Sequence, residues 1–485
     1  MGKLYEQLKG YRQSDYYGFH MPGHKRNESL MVAELPYGID ITEIEEFDDL
    51  HHDESILLQA RERAALLFGA EETRFLINGS TAGILSAILG CTSKRGSILV
   101  ARNCHKSVYH AIFLGELQAT YLYPEFDERL QLNMVVSVAE IDNCLEQDPD
   151  IQAVVVVSPT YDGVVSDIQA IAEVVHKRNI PLIVDEAHGA HFGFHAYFPV
   201  SAINCGADIV IQSLHKTLPS LTQTAVIHMK GQIVKRDLVR DYLKIFQSTS
   251  PSYVLIASID ECVNFLKDQG DVAFGQYVKL LSKLRRSLSG LEKLSLVETD
   301  NYDKSKLVIS TKNTNISGRE LYWILKKRYH LQMEMAAGSY IIGMTSVADQ
   351  EHGFNRLKQA LYEIDLELEF RKDQSLYEID SELEHQLEQT EQEEGVQPLS
   401  ARLPRLEQVY KSSDDSAMKE MVKWQDSIGR VSMEYAYIYP PGIPLIVPGE
   451  RISFEVWAYL TDHRKLGFSI EGVKSKNGIE VRVDG

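Results

Sequence analysis

The chain has 485 residues, 44% of them hydrophobic and 25% charged, which is too long for one ordinary domain and too apolar for wholesale disorder. Lys+Arg 50 against Asp+Glu 69 leaves a formal net charge of −19. That balance argues against nucleic acid or an anionic membrane as partners, because both reward clustered positive charge.

In chain order, the N-terminus Met1-Gly2-Lys3-Leu4-Tyr5-Glu6 lacks the apolar core of a signal peptide, and no stretch reaches the roughly 20 apolar residues of a membrane helix. Five widely spaced cysteines, Cys91, Cys104, Cys144, Cys205 and Cys262, form no C-x-x-C pair. They suit a reducing cytosol, so a cytoplasmic location is expected. Phe75–Ile77 is an apolar run, followed by the turn Asn78–Gly83 and a helical Ile84–Leu89. Ser97–Ala101, Ala153–Val157, Pro181–Val184, Asp208–Ile211 and Ala225–His228 read as strands buried on both faces, short and rich in Val and Ile. Helical patterns over Val138–Glu146 and Ile168–Arg178 separate them, and this alternation predicts an α/β unit with a mainly parallel sheet. From about Lys304 a smaller α+β unit is expected: strand Leu307–Ser310, helix Gly318–Arg328, strands Gln332–Met335 and Tyr340–Met344, and a helix over about Ala348–Phe370. Asp373–Glu394 holds nine acidic residues and no Lys or Arg, the mark of a solvated helix and linker rather than a partner-binding helix. The segment from Arg402 onward has strand-like runs of its own. The expected units are 1–303, 304–370, an acidic linker 371–400, and 401–485.

In open parallel sheets, ligands bind beyond the carboxyl ends of the strands. Four predicted strand ends carry reactive residues: Asn103-Cys104-His105-Lys106, Ser158-Pro159-Thr160-Tyr161, Asp185-Glu186-Ala187-His188 and Ser213-Leu214-His215-Lys216. A strand-end Asp followed 31 residues later by Ser-x-His-Lys fits pyridoxal 5'-phosphate (PLP). Lys216 supplies the amine for a Schiff base, and Asp185 keeps the pyridinium protonated as an electron sink. The turn with Gly79, Ser80 and Thr81 suits the phosphate, being small and opening a helix. It has neither Walker nor Rossmann spacing. His105 is the candidate to stack on the ring, while His188 and His215 are candidates to bond substrate carboxylate or cofactor phosphate. Zinc is the rival for His188 and His191, but no third ligand stands at a persuasive spacing, so no metal is expected.

These residues resemble the fold type I PLP-dependent Orn/Lys/Arg decarboxylases. The likeness runs through Phe19-His20-Met21-Pro22-Gly23-His24-Lys25-Arg26, Asp40-Ile41-Thr42-Glu43, the strand-end motifs above, Thr249-Ser250-Pro251-Ser252-Tyr253, Gly429-Arg430-Val431-Ser432 with Glu434, and Tyr439-Pro440-Pro441-Gly442-Ile443-Pro444. It implies a PLP-transferase-like large domain, a small α+β domain and an extra C-terminal α+β domain, in a short form without an N-terminal wing domain. It makes Lys216 the Schiff-base lysine, Asp185 the pyridinium partner and His105 the stacking residue. Ser80, Thr81, Ser213 and His215 would hold the phosphate beside Gly79, with Thr160 and His188 lining the cofactor. His188 and Glu434 would meet the substrate, Glu434 at its distal cation. Thr249 would reach the cofactor of a neighbouring subunit, in a homodimer or dimer of dimers with shared sites. The implied activity is α-decarboxylation of a basic L-amino acid, arginine or lysine ahead of ornithine. A transaminase on the same scaffold and a non-catalytic regulator are the alternatives, and the intact Lys216, Asp185 and His105 count against the regulator.

Overall fold

The computed structural model describes residues 3–16, 21–22, 24–25, 34–370, 402–412, 417–438, 442–465 and 468–483. The acidic segment 373–394, the rest of the expected linker, and parts of the N-terminal and Tyr439–Pro444 motifs lie outside the described residues. Helices α1 (Leu4–Gln13) and α2 (Ile56–Phe68) lead into β1 (Glu72–Leu76), α3 (Gly79–Cys91), β2 (Ser97–Ala101), α4 (Lys106–Gly115) and β3 (Gln118–Leu122). A small hairpin of β4 (Phe126–Asp127) and β5 (Leu132–Asn133) follows, then α5 (Val138–Gln147), β6 (Ile151–Val157), α6 (Ile168–His176), β7 (Leu182–Asp185), β8 (Ile209–Gln212), α7 (Leu214–Thr217), β9 (Ala225–Met229) and α8 (Arg236–Phe246).

Seven strands form one sheet in the order β1-β9-β8-β7-β6-β2-β3. Every residue of β7, β8 and β9 is buried. Continuous Val/Ile runs are therefore the only solution for strands covered on both faces, each enclosed side chain contributing about 1.5–3 kcal/mol. Strands β3, β2, β6, β7 and β8 run parallel. The strand expected at Ala225–His228 is present as β9, which runs antiparallel to both β8 and β1 within the mainly parallel sheet. The single-turn α7 has four residues and spans about 6 Å, too short to carry the chain back along the sheet, so it returns as a reversed neighbour.

The 36-residue helix α9 (Tyr253–Leu288), about 54 Å long, joins this layer to a second, antiparallel sheet. That sheet has the order β10-β11-β13-β12, with β10 (Ser295–Leu296), β11 (Lys306–Ser310), α10 (Gly318–Arg328), β12 (Met335–Ala336), β13 (Tyr340–Met344) and α11 (Glu351–Glu367) in chain order. A capping box of Ser317 and Glu320 starts α10. The strand expected at Gln332–Met335 shrinks to Met335–Ala336. In the C-terminal part, β14 (Lys419–Lys423), β15 (Ala436–Ile438), β16 (Ile443–Ile446), α12 (Phe454–Lys465), β17 (Ile470–Glu471) and β18 (Gly478–Arg482) enclose a core of their own around Trp424, Ile446, Val456 and Leu460.

A buried arginine helps tie this last unit to the large sheet. Arg102, directly after β2 and 1% exposed, donates to the Tyr109 hydroxyl (2.9 Å), to the carbonyls of Pro444 and Leu445, and to the Glu450 carboxylate (3.2 Å). Four residues on, the Lys106 amide donates to the Gly442 carbonyl. The loop that carries His105 is thus held from both sides.

Candidate active site

The carboxyl ends of β2, β6, β7 and β8, with the start of α3, converge on one cluster. Asp185 is the last residue of β7 and is 3% exposed. Burial pushes its carboxyl above the ordinary range against the opposing field of Lys216. Its Oδ1 accepts from the Ala187 amide. Lys216 lies in α7, just beyond β8. Burial lowers its pKa, opposed by Asp185 and Glu334, and its Nζ lies 2.9 Å from His188 Nε2.

His105 is the N-cap of α4 and its Nδ1 bonds the Ser107 hydroxyl at 2.9 Å. Burial and the neighbouring charges of Lys216 and Lys106 push it down to about 4, so it is a neutral imidazole at physiological pH. Gly79 begins α3 with φ +69°, a left-handed conformation that favours glycine, and its amide donates to the Gln223 carbonyl. The expected loop Asn78–Gly83 is therefore mostly the first turn of α3, which presents unpaired backbone N–H groups as an anion site. Ser80 Oγ lies 2.6 Å from Ser213 Oγ, so two strand ends meet at one pair of hydroxyls. Thr81 is exposed at the same turn.

Thr160 is buried, and its Oγ1 accepts from the Val164 amide, which shapes the loop after β6. His215 Nδ1 lies 2.9 Å from the Thr224 carbonyl, so Nδ1 carries the proton, and the neutral ring offers Nε2 as an acceptor. A phosphate would need the protonated ring, a form that burial disfavours. Thr249 is exposed in the loop between α8 and α9, and among the described residues it makes no hydrogen bond to this cluster. Glu434 does not join it either. Its two carboxylate oxygens accept from the Lys474 amide (2.9 Å) and the Glu480 amide (2.8 Å), inside the C-terminal unit. These two bonds brace two backbone segments and leave each oxygen a further lone pair.

Sequence reasoning missed Lys306. It is fully buried at the start of β11, and its Nζ lies 2.8 Å from His188 Nδ1. His188 therefore sits between two lysines, and burial followed by both of their charges holds it well below its ordinary pKa. Tyr161 donates to Glu334 and packs edge-on against His188. Among buried atoms without a partner are Asn103 Oδ1 and Thr217 Oγ1, both next to the cluster in sequence. An amine, an enclosed carboxylate, a neutral imidazole and a helix N-terminus with hydroxyls fit an aldehyde cofactor bearing a phosphate and a ring nitrogen.

Family models agree. The model described as Orn/Lys/Arg decarboxylase, major domain, matches residues 2–365, and the corresponding C-terminal domain matches residues 405–483. The chain is 30% identical to an arginine decarboxylase of Halalkalibacterium halodurans, over 96% of this chain and 94% of that one. It is 34% identical to the uncharacterized protein YaaO of Bacillus subtilis, over 93% and 92%. The lysine decarboxylase LdcF of Francisella novicida shares the fold, with a TM-score of 0.80 at 19% identity, over 99% of this chain and 81% of that one. The fold is thus that of the type I PLP-dependent enzymes. The chain belongs to the Orn/Lys/Arg decarboxylase family, and it is a decarboxylase.

Proposed function

We propose that the chain is a PLP-dependent decarboxylase that converts a basic L-amino acid, arginine ahead of lysine, to the corresponding amine and CO2. The observation that carries this reading is the convergence of the Lys216 amine and the Asp185 carboxylate at the ends of adjacent strands, with His105 and His188 beside them. Arginine is favoured because sequence relatives that match nearly the whole chain at 30% identity are named arginine decarboxylase, whereas the lysine decarboxylases similar in sequence match half of it or less, and those similar over the whole fold share only about 19% identity.

When bound, PLP supplies the conjugated ring that takes up the electrons of the breaking Cα–carboxylate bond. Lys216 would supply the amine that holds the aldehyde, and Asp185 the carboxylate for the ring nitrogen. The start of α3, with Ser80 and Ser213, would hold the phosphate. His105, neutral and half-enclosed, would offer a flat face to the ring, with Nε2 available to move a proton. Asp185, His188, Thr160 and Ser213 are buried, so the inner wall of the site would hold water back. Thr249, exposed in one chain, would complete the site of a second copy. We place the enzyme in the cytoplasm as a homodimer or dimer of dimers.

The test is to incubate the purified chain with PLP and, separately, L-arginine, L-lysine and L-ornithine, and to identify the products. The expected result is amine and CO2, fastest from arginine; a keto acid in their place would overturn decarboxylation. Lys216→Ala should abolish CO2 release, and retained release would overturn its role.

A further inference from the structure

The mechanism above gives Lys306 no task, although the chain encloses its ammonium completely, at a cost only a partner can offset. Its contact is His188: Nζ to Nδ1 is 2.8 Å, while the opposite nitrogen, Nε2, lies 2.9 Å from Lys216 Nζ. A neutral imidazole has one N–H and one acceptor. So one lysine donates into the ring, and the other accepts from it, which only a free amine can do.

The surrounding charges decide which. Lys306 faces Asp303, Asp162 and Glu334. Asp303 is fully buried, and its carboxylate takes bonds from His191 Nε2 (3.0 Å) and from the amide and hydroxyl of Ser305. Burial works to raise its pKa, but His191 and Lys306 outweigh it and hold it below the ordinary range. Lys216 faces Asp185 and Glu334, and the Asp185 carboxyl is pushed upward. His105 and His215 complete the ring of groups around His188. Three carboxylates thus face Lys306, the firmly ionised Asp303 among them, against two at Lys216. The ammonium belongs on Lys306.

We propose that Lys306 is a positioning residue: it fixes His188 as the Nε2–H tautomer, and the fixed imidazole holds the Lys216 amine uncharged, ready to attack an aldehyde. An uncharged amine is the form that reacts. Its lone pair leaves the Nε2–H bond and forms the C–N bond, and the aldehyde oxygen departs as water carrying the amine's two hydrogens. No oxidant or reductant is needed. The inference rests on the PLP reading, and it gives the second sheet, through the first residue of β11, a direct hand in cofactor capture.

The test follows the rate of imine formation between the cofactor-free chain and pyridoxal phosphate, by absorbance, across neutral and mildly alkaline pH. Lys306→Met should move the midpoint up by about one pH unit, so that bonding at neutral pH slows about tenfold. His188→Gln should produce the same shift, and the double variant no more than either single one. An unchanged midpoint in Lys306→Met overturns the proposal. So does an additive double variant, which would mean that Lys306 acts by charge alone. Should Lys306→Met fail to fold, ring 15N spectra of the histidine-labelled wild-type chain decide: a proton on His188 Nε2 supports the proposal, and one on Nδ1 overturns it. Failure of pyridoxal phosphate to bond Lys216 at all would sink the cofactor reading, whereas bonding at an unshifted pH in Lys306→Met sinks only the inference.

Discussion

Replacing Arg102 by methionine removes the cation that rivets the C-terminal unit to the loop bearing His105. Methionine keeps most of the stem's volume, so the loss is electrostatic. Arg102 and Glu450 are 1% and 0% exposed. Without the guanidinium, the Glu450 carboxylate keeps only its bond from the Val447 amide (2.7 Å), and the Pro444 and Leu445 carbonyls lose a donor. Breaking one half of such a buried pair costs about 3–5 kcal/mol, or two to three and a half decades in the folding equilibrium. Two of the three tryptophans, Trp424 and Trp457, lie in the C-terminal unit, so urea unfolding followed by fluorescence reads its release directly. The pH sign adds a second check. Burial already pushes Glu450 above the ordinary carboxylate range, with Arg102 opposing; removing Arg102 pushes it further. Between the unfolded and folded pKa values the folded state then binds more protons, so the variant's deficit shrinks as pH falls through that window. Arg102→Met combined with Glu450→Gln should recover most of the loss. A deficit below about 1 kcal/mol, one that does not shrink toward acid pH, or a double variant as unstable as the single one would refute the reasoning.

Asp303→Asn should destabilise the chain by about 3 kcal/mol or more, since it strips His191 and Lys306 of their buried counter-charge. Because the native carboxylate is held below its ordinary pKa, its stabilisation is present above that ordinary value and lost as pH falls through the depressed one; the variant's thermal-midpoint series against pH should therefore be flatter on the acid side. Ser80→Ala loses the bond to Ser213 and should weaken PLP binding about fivefold in a fluorescence titration, the worth of about 1 kcal/mol. An unchanged Kd would move the phosphate away from the start of α3.

Much of this was legible before any coordinates. Uninterrupted Val and Ile runs marked the central strands, because burial on both faces leaves no room for alternation, and the reactive residues at their ends fall together as the sheet rule requires. Strand direction was not legible at Ala225–Met229, since it depends on the length of α7, a tertiary quantity. The amide partners of Glu434 were not legible for a related reason: a carboxylate carries no record of which amides will meet it, and Lys474 and Glu480 arrive from 40 and 46 residues away. Lys306 looks like the polar flank of an apolar strand. Its meaning comes from His188, 118 residues earlier, and no local pattern encodes such a distance.

The reversed strand β9 also has a consequence for how the protein is made. Thr73, in β1, is hydrogen-bonded to His228, 155 residues later, and the Gly79 amide waits on the Gln223 carbonyl. A chain emerging from its N-terminus has no partner for β1 until β9 has left the ribosome, and closing so long a loop is slow. The turn that opens α3 is thus synthesised well before it is anchored, and it takes its final shape only once the reversed strand has closed the sheet's edge.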